Sequence, residues 1–193
     1  MTAKTLATAA LLGLGIGMAQ AAVTVTFSGL IGPFGNAGDG TVYSEGGLTF
    51  NSGVLQHWGP ADIENADFGG ATLYHSEVDP ALVVTRTGGG LFDLSSFALA
   101  EADNNASAIN VTFRYTDGSG LHSSTLTVPA AAGLHTFVVN RPGISSFELA
   151  DIDFQVDNIV YTAVPEPASY ALLALGLLVI GVRARARHTR AQR

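Results

Sequence analysis

Hydrolysis of a glycan needs two carboxylates that face one another across a cleft. The carboxylates nearest to a pattern are Asp151, Asp153 and Asp157, which alternation along an extended chain would place on one strand face. An opposing partner is not visible in the chain itself, and alternating aspartates on a half-buried strand read first as its solvated edge. No serine lies in a Gly-x-Ser-x-Gly elbow. His57, His75, His122 and His135 show no metal-ligand spacing. Gly88-Gly89-Gly90 lacks the lysine of a phosphate loop and reads as a turn. Cysteine is absent, which excludes disulfides, thiolate metal sites and a cysteine nucleophile. No catalytic residue is assigned.

Binding is better served. Sugar sites combine flat aromatic faces with amide or carboxylate hydrogen bonds. Gln56-His57-Trp58, Asp62, Asn65 and Tyr74 supply those groups within one segment, which makes His57, Trp58 and Tyr74 the candidate ligand-binding residues. Trp58 is the sole tryptophan, and a lone tryptophan more often plugs a core than offers a platform.

The elements that must position these residues are strands. Val23, Val25 and Phe27 alternate with threonines, and a Gly-rich stretch follows from Gly29 to Gly40. Val42-Tyr43 and Leu48-Thr49-Phe50 flank Glu45-Gly46-Gly47. The segment from Asn51 to His75 is the least regular. Ala81–Thr85 is an apolar run, and Phe92, Leu94, Phe97 and Leu99 suggest two short strands around Ser95-Ser96. Ile109 to Tyr115 alternates over a full strand, turns at Asp117-Gly118-Ser119-Gly120 and returns from Ser123 to Val128. Phe137–Val139, a turn at Pro142-Gly143, Phe147–Leu149, Ile152–Val156 and Ile159–Tyr161 complete the pattern. About ten short strands at roughly ten-residue spacing, with no 3.6-residue period, predict an all-β antiparallel sandwich of jelly-roll type.

Both ends differ from this middle. Lys4, the apolar run Leu6–Met18 and Ala19-Gln20-Ala21 have the order of a secretory signal peptide cleaved between Ala21 and Ala22. At the other end, Val164-Pro165-Glu166-Pro167 precedes an uncharged run, Ala168–Val182, and then Arg183, Arg185, Arg187, Arg190 and Arg193. As a helix that run spans about 22 Å against a hydrocarbon core of roughly 30 Å, so it is a short membrane helix with a basic cytoplasmic end. The alternative, a buried C-terminal core helix, should show a polar face, and none is present. The expected organisation is a signal peptide over 1–21, an exported domain over 22–163 and a tail over 164–193.

Within 22–163 three arginines stand against fifteen carboxylates, a formal charge of −12. Such a surface argues against nucleic acid and anionic lipid as partners and suits cations or neutral glycans.

The tail, Val164-Pro165-Glu166-Pro167 with its apolar run and arginines, resembles the PEP-CTERM sorting signal of Gram-negative bacteria. That resemblance implies processing by an exosortase-like enzyme, membrane attachment through the C-terminal helix beforehand, and a final place at the cell surface or outside it. It also implies an association with exopolysaccharide and biofilm. Gly90-Leu91-Phe92-Asp93-Leu94-Ser95-Ser96-Phe97 and Phe154-Gln155-Val156-Asp157-Asn158-Ile159 more weakly resemble strands of galactose-binding-like carbohydrate modules. These often hold a structural calcium between early and late strands, which by that resemblance makes Glu45 and Asp157 candidate ligands. Similar tails are sometimes named after ice-binding proteins, but no repeating Thr-x-Thr array is present. The expected role is structural, adhesive or exopolysaccharide-binding; the alternative is a secreted glycan hydrolase.

Overall fold

A computed structural model of the chain describes residues 20–165 and, further on, residues 173, 175–178 and 180. Residues 1–19, where the signal peptide is expected, lie outside the described residues, as do Glu166, Pro167 and the arginine-rich end. Ala21 and Ala22 are exposed just ahead of the first strand.

Apolar alternation folds the domain into two antiparallel sheets. In chain order the strands are β1 (Val23–Val25), β2 (Gly35–Asn36), β3 (Val42–Glu45), β4 (Leu48–Asn51), β5 (Gln56–Trp58), β6 (Thr72–His75) and β7 (Leu82–Arg86). They continue with β8 (Phe92–Glu101), β9 (Ile109–Asp117), β10 (Gly120–Val128), β11 (His135–Ile144), β12 (Ser146–Ala150) and β13 (Phe154–Ala163). One sheet runs β11-β8-β13-β6-β5-β2, with β1 also paired to β13; the other runs β10-β9-β12-β7-β4-β3. The inward faces meet in one core, where Phe97 and Phe147 stack with ring centroids 5.8 Å apart. The chain is therefore an all-β antiparallel sandwich.

Three local expectations change. Phe92–Glu101 is one continuous strand, because Ser95 and Ser96 sit half-buried in its ladder rather than in a turn. Pro142-Gly143 is no turn either. It lies within β11, an edge strand whose register slips between Val138 and Arg141 and again between Arg141 and Ile144. An edge tolerates both the missing proline donor and the bulges. Asp151 and Asp153 lie in the connection before β13, so they do not share its face with Asp157.

The outer face of the six-stranded sheet carries a pattern that no single segment shows. Thr116, Ser146, Thr85, Thr49 and Ser44 are register partners in turn across five strands. They form a cross-sheet row of hydroxyls.

β13 runs into the tail with little slack. Ala163 pairs with Phe92, Val164 N–H donates to the Leu91 carbonyl, and the Arg86 guanidinium donates to the carbonyls of Leu91 and Val164. Beyond it, Leu173, Leu175, Leu177, Leu178 and Ile180 are helical and exposed, so they add nothing to the sandwich core. Among the described residues no helix is long and apolar enough to cross a membrane.

Candidate functional site

Strands β2, β5 and β6 form one flank of the seven-stranded sheet, and their register sorts the candidate residues by face. Trp58 pairs with Thr72 and Gln56 with Tyr74, while His57 pairs with Leu73, a core residue. Since neighbours along a strand point to opposite sides, His57 turns inward while Trp58 and Tyr74 share the outer face. His57 is only 6% exposed and lies beneath Gly32 and Gly35; neither ring nitrogen has a hydrogen-bond partner. It does not join the surface site.

Phe34, just before β2, completes the outer cluster. Its ring centroid lies 4.1 Å from that of Trp58 and 5.9 Å from that of Tyr74, and Trp58 and Tyr74 meet edge-on at 6.0 Å. Phe34 is 40% exposed whereas Trp58 and Tyr74 are half-buried. The ring offered to solvent is therefore Phe34, with Trp58 as its support. Sequence reasoning passed over Phe34 because it sits in a Gly-rich turn, Gly32-Pro33-Phe34-Gly35, where an aromatic has no periodicity to reveal it.

The amide and carboxylate of the same segment build the loop instead of facing a ligand. Asn65 is buried and donates to the carbonyls of Gly59, Asp67 and Gly70, while its oxygen accepts from Thr72 and from the Asp67 amide. Asp62 accepts from the Gly59 amide at 2.8 Å. The loop between β5 and β6 is then tied to the sheet by Gln155. This fully buried residue accepts from Ala66 N–H and Thr72 Oγ1 and donates to the carbonyls of Glu64, Glu101 and Ala102.

The carboxylates sort equally clearly. Asp151 lies 3.7 Å from Arg114 in an exposed ion pair, and Asp153 accepts the Glu77 amide. Arg114 is shared with Glu148 at 3.8 Å, so the charge of Asp151 is engaged at the surface. Ser119, His122 and Asp117 cluster on the β9–β10 turn, but serine and aspartate both contact the same histidine nitrogen, Nε2, at 2.9 and 3.1 Å. A nucleophile–base–carboxylate relay needs the two on different nitrogens. Ser119 bonds hold the Asp117 carboxyl down at about 2, so this is a locked turn.

Asp157 is different. A bulge at Asn158, with φ of 51°, lets Val156 and Ile159 both reach the core and leaves Asp157 only 1% exposed. Its Oδ1 has no hydrogen-bond partner, and Oδ2 takes only the Asn158 side-chain amide at 3.3 Å. Burial pushes its carboxyl up to about 8, helped by the negative charges of Asp67 and Glu45. Glu45, on the neighbouring sheet, accepts from Tyr43 Oη at 2.5 Å. Among the described residues no three His, Asp or Glu side chains gather into a metal cluster. A buried carboxylate with an orphaned oxygen, within the field of the Asp67 and Glu45 charges, nevertheless has the hard-oxygen chemistry of a calcium ligand. Ca²⁺ accepts backbone carbonyls and water for its remaining positions.

At the tail, Val164 and Pro165 emerge directly from β13, and residues 163–186 match the PEP-CTERM protein-sorting motif. The chain carries a PEP-CTERM sorting signal. The signal implies an exported protein processed by an exosortase. No curated protein matches the chain. Solved structures that superpose on it include the enzymatically active domain of bacteriophage CBA120 tailspike protein 4, at 15% identity and a TM-score of 0.32 over 61% of this chain. Another is the CBM22-1–GH10 part of a Clostridium thermocellum xylanase complexed with xylohexaose, at 13% identity and a TM-score of 0.35 over 74% of this chain. A third is a CBM22-1 xylan-binding domain from Paenibacillus barcinonensis, at 11% identity and a TM-score of 0.35, covering 77% of this chain and 97% of that one. The chain spans only 19% and 28% of the first two. Superpositions this loose carry no argument about ligand or chemistry.

Proposed function

We propose that this PEP-CTERM protein is a non-enzymatic surface or extracellular-matrix component whose sandwich binds neutral polysaccharide at the Phe34–Trp58–Tyr74 cluster. The observation that carries the reading is the exposed Phe34 ring backed at 4.1 Å by Trp58. An aromatic face held rigid by a second ring is a sugar-stacking platform with little conformational entropy left to lose. The −12 charge of the domain favours a neutral chain over a polyanion. The hydrolase alternative gains no support from Asp151 and Asp153, and Asp157 is too deeply buried to reach a substrate.

Binding of neutral polysaccharide should therefore be saturable and release no reducing ends. Phe34→Ala should weaken it about tenfold or more, a loss of roughly 1.4 kcal/mol. Affinity electrophoresis in gels cast with neutral polysaccharides, paired with a reducing-sugar assay, measures both. Retained mobility shift in Phe34→Ala and Trp58→Ala would move the site elsewhere, and turnover would restore the enzyme reading.

Before processing, the apolar tail holds the protein in the membrane in this reading, with the arginines on the cytoplasmic side. Replacing Pro165-Glu166-Pro167 by alanines should leave the tail uncleaved and the protein in the membrane fraction. Immunoblotting of membrane and medium follows the outcome, and normal release of that variant would sink the sorting role. A structural calcium at Asp157, with Glu45 as the second carboxylate, completes the proposal.

A further inference from the structure

The free edges of the two sheets differ in how they are defended. β1, β2 and β3 are only three, two and four residues long, and β3 ends in a carboxylate, Glu45. β11 is long, but it carries Arg141, Pro142 and two register slips. Short length, charge, proline and bulges are the ordinary devices that keep a sheet edge from pairing with another chain. β10 has none of them. It holds nine consecutive pairs with β9, from Gly120↔Asp117 to Val128↔Ile109, without a slip, and among the described residues it pairs with no other strand. Gly120–Val128 contains no proline, aspartate, glutamate, lysine or arginine.

The register shows which groups this edge offers. The Thr116 carbonyl accepts the amide of Ser145, the residue before β12, on the far side of β9. Its β10 partner Leu121 therefore directs its own N–H and C=O away from β9, and alternation does the same for Ser123, Thr125 and Thr127. All four residues are exposed, Leu121 at 64%. Antiparallel pairing of β10 with its own copy, about a two-fold axis at Ser124, sets Leu121 opposite Thr127 and Ser123 opposite Thr125. Every outward donor then meets an outward acceptor, roughly eight hydrogen bonds in all. Ser124 faces its counterpart at the axis.

We propose that β10 is a homotypic docking edge, at which two copies of this chain join their six-stranded sheets into one continuous sheet. The partner is a second copy because the edge is self-complementary and because of charge. Each domain carries −12, so two copies repel wherever they present carboxylates, and this strand presents none. The nearest carboxylate along the chain, Asp117, is bonded to Ser119 and His122 at the hairpin end. In the two-fold pair the two Asp117 side chains sit at opposite ends of the ladder, roughly 27 Å apart along the strands and well beyond the Debye length. A single paired strand is a small interface, which sets the expected Kd in the micromolar range. Nothing in this contact depends on polysaccharide binding.

The test is sedimentation velocity on the full-length protein in a non-ionic detergent. The wild type should pass from monomer to dimer as its concentration rises through the micromolar range. The double variants Ser123→Glu/Thr125→Glu and Ser123→Lys/Thr125→Lys each set like charges opposite one another twice, and each should weaken the dimer about tenfold or more. An equimolar mixture of the two should dimerise again, because every glutamate then faces a lysine. The chain has no cysteine, so Ser124→Cys under mild oxidation should yield a disulfide-linked dimer, residues that face each other at the axis being within disulfide reach. Thr127→Cys should not. A wild type that stays monomeric throughout the micromolar range, no recovery on mixing, or no covalent dimer through Ser124→Cys each overturns the proposal. Dimers that persist in both double variants would place the contact on the tail or another face and overturn it equally.

Discussion

In chelator, the domain should lose stability between about pH 4 and pH 8, and calcium should restore it. The Asp157 carboxyl has its ordinary value near 3.8 in the unfolded chain and about 8 in the fold. A group raised by folding contributes stability that is fully present below its unfolded value and disappears as pH climbs through its folded value. A rise of that size is worth something on the order of 5 kcal/mol, which for a domain of this size is roughly 15 °C in Tm. His75 works in the other direction. Burial lowers its pKa, so its contribution is lost as pH falls below the ordinary histidine range. The net curve in chelator should therefore have a maximum on the acidic side of neutrality.

Asp157→Asn isolates the effect, because an amide cannot ionise. That variant should show no loss of Tm from pH 6.5 to 8.5 and no response to calcium. The wild type should gain more from calcium at pH 8.5 than at pH 5, since a cation binds only the ionised carboxylate. Differential scanning calorimetry at several pH values with EDTA or millimolar Ca²⁺ decides it. A calcium increment in Asp157→Asn equal to that of the wild type would remove Asp157 from the site, while a flat wild-type response would remove calcium.

Gln155→Leu should cost about 3 kcal/mol or more and loosen the loop that supports the aromatic cluster. The substitution nearly preserves volume but strands the Ala66 amide and the carbonyls of Glu64 and Ala102, all gathered on a fully buried side chain. Each buried polar group left without a partner costs about 1–3 kcal/mol, and neighbouring losses are not fully additive. Chemical denaturation measures the global cost. Hydrogen exchange at the Ala66 amide measures the local one, with protection falling by at least tenfold beyond the global change. Unchanged protection at Ala66 would show that the loop is held by Asn65 and Asp62 alone.

The two predictions share a lesson about strand β13. Its apolar residues were legible as two alternating pairs, Phe154 with Val156 and Ile159 with Tyr161, all four of which face the core, but the bulge that joins the pairs into one strand was not. Its polar residues were not. Asp157 reads as part of a solvated edge and Gln155 has no role in the linear pattern, yet both are buried. A loop from between β5 and β6 folds over one, and a bulge at Asn158 draws in the other. Alternation reports which side of a sheet a residue takes, not whether another part of the chain covers that side.

What the sequence by itself determined is therefore the class and the address. Short alternating strands with glycine-rich turns and no helical period require a sandwich, because only two facing sheets bury so many half-apolar strands. The tail motif is linear, so nothing beyond its own residues is needed to recognise it. What only the tertiary structure decided is every surface that draws on more than one strand. Phe34 reaches Trp58 from a turn more than twenty residues away, and Arg141 reaches Tyr115 across the two sheets. The hydroxyl row takes one residue from each of five strands. Register and bulges set these meetings, and in an antiparallel sandwich both follow from long-range pairing that local propensity does not encode.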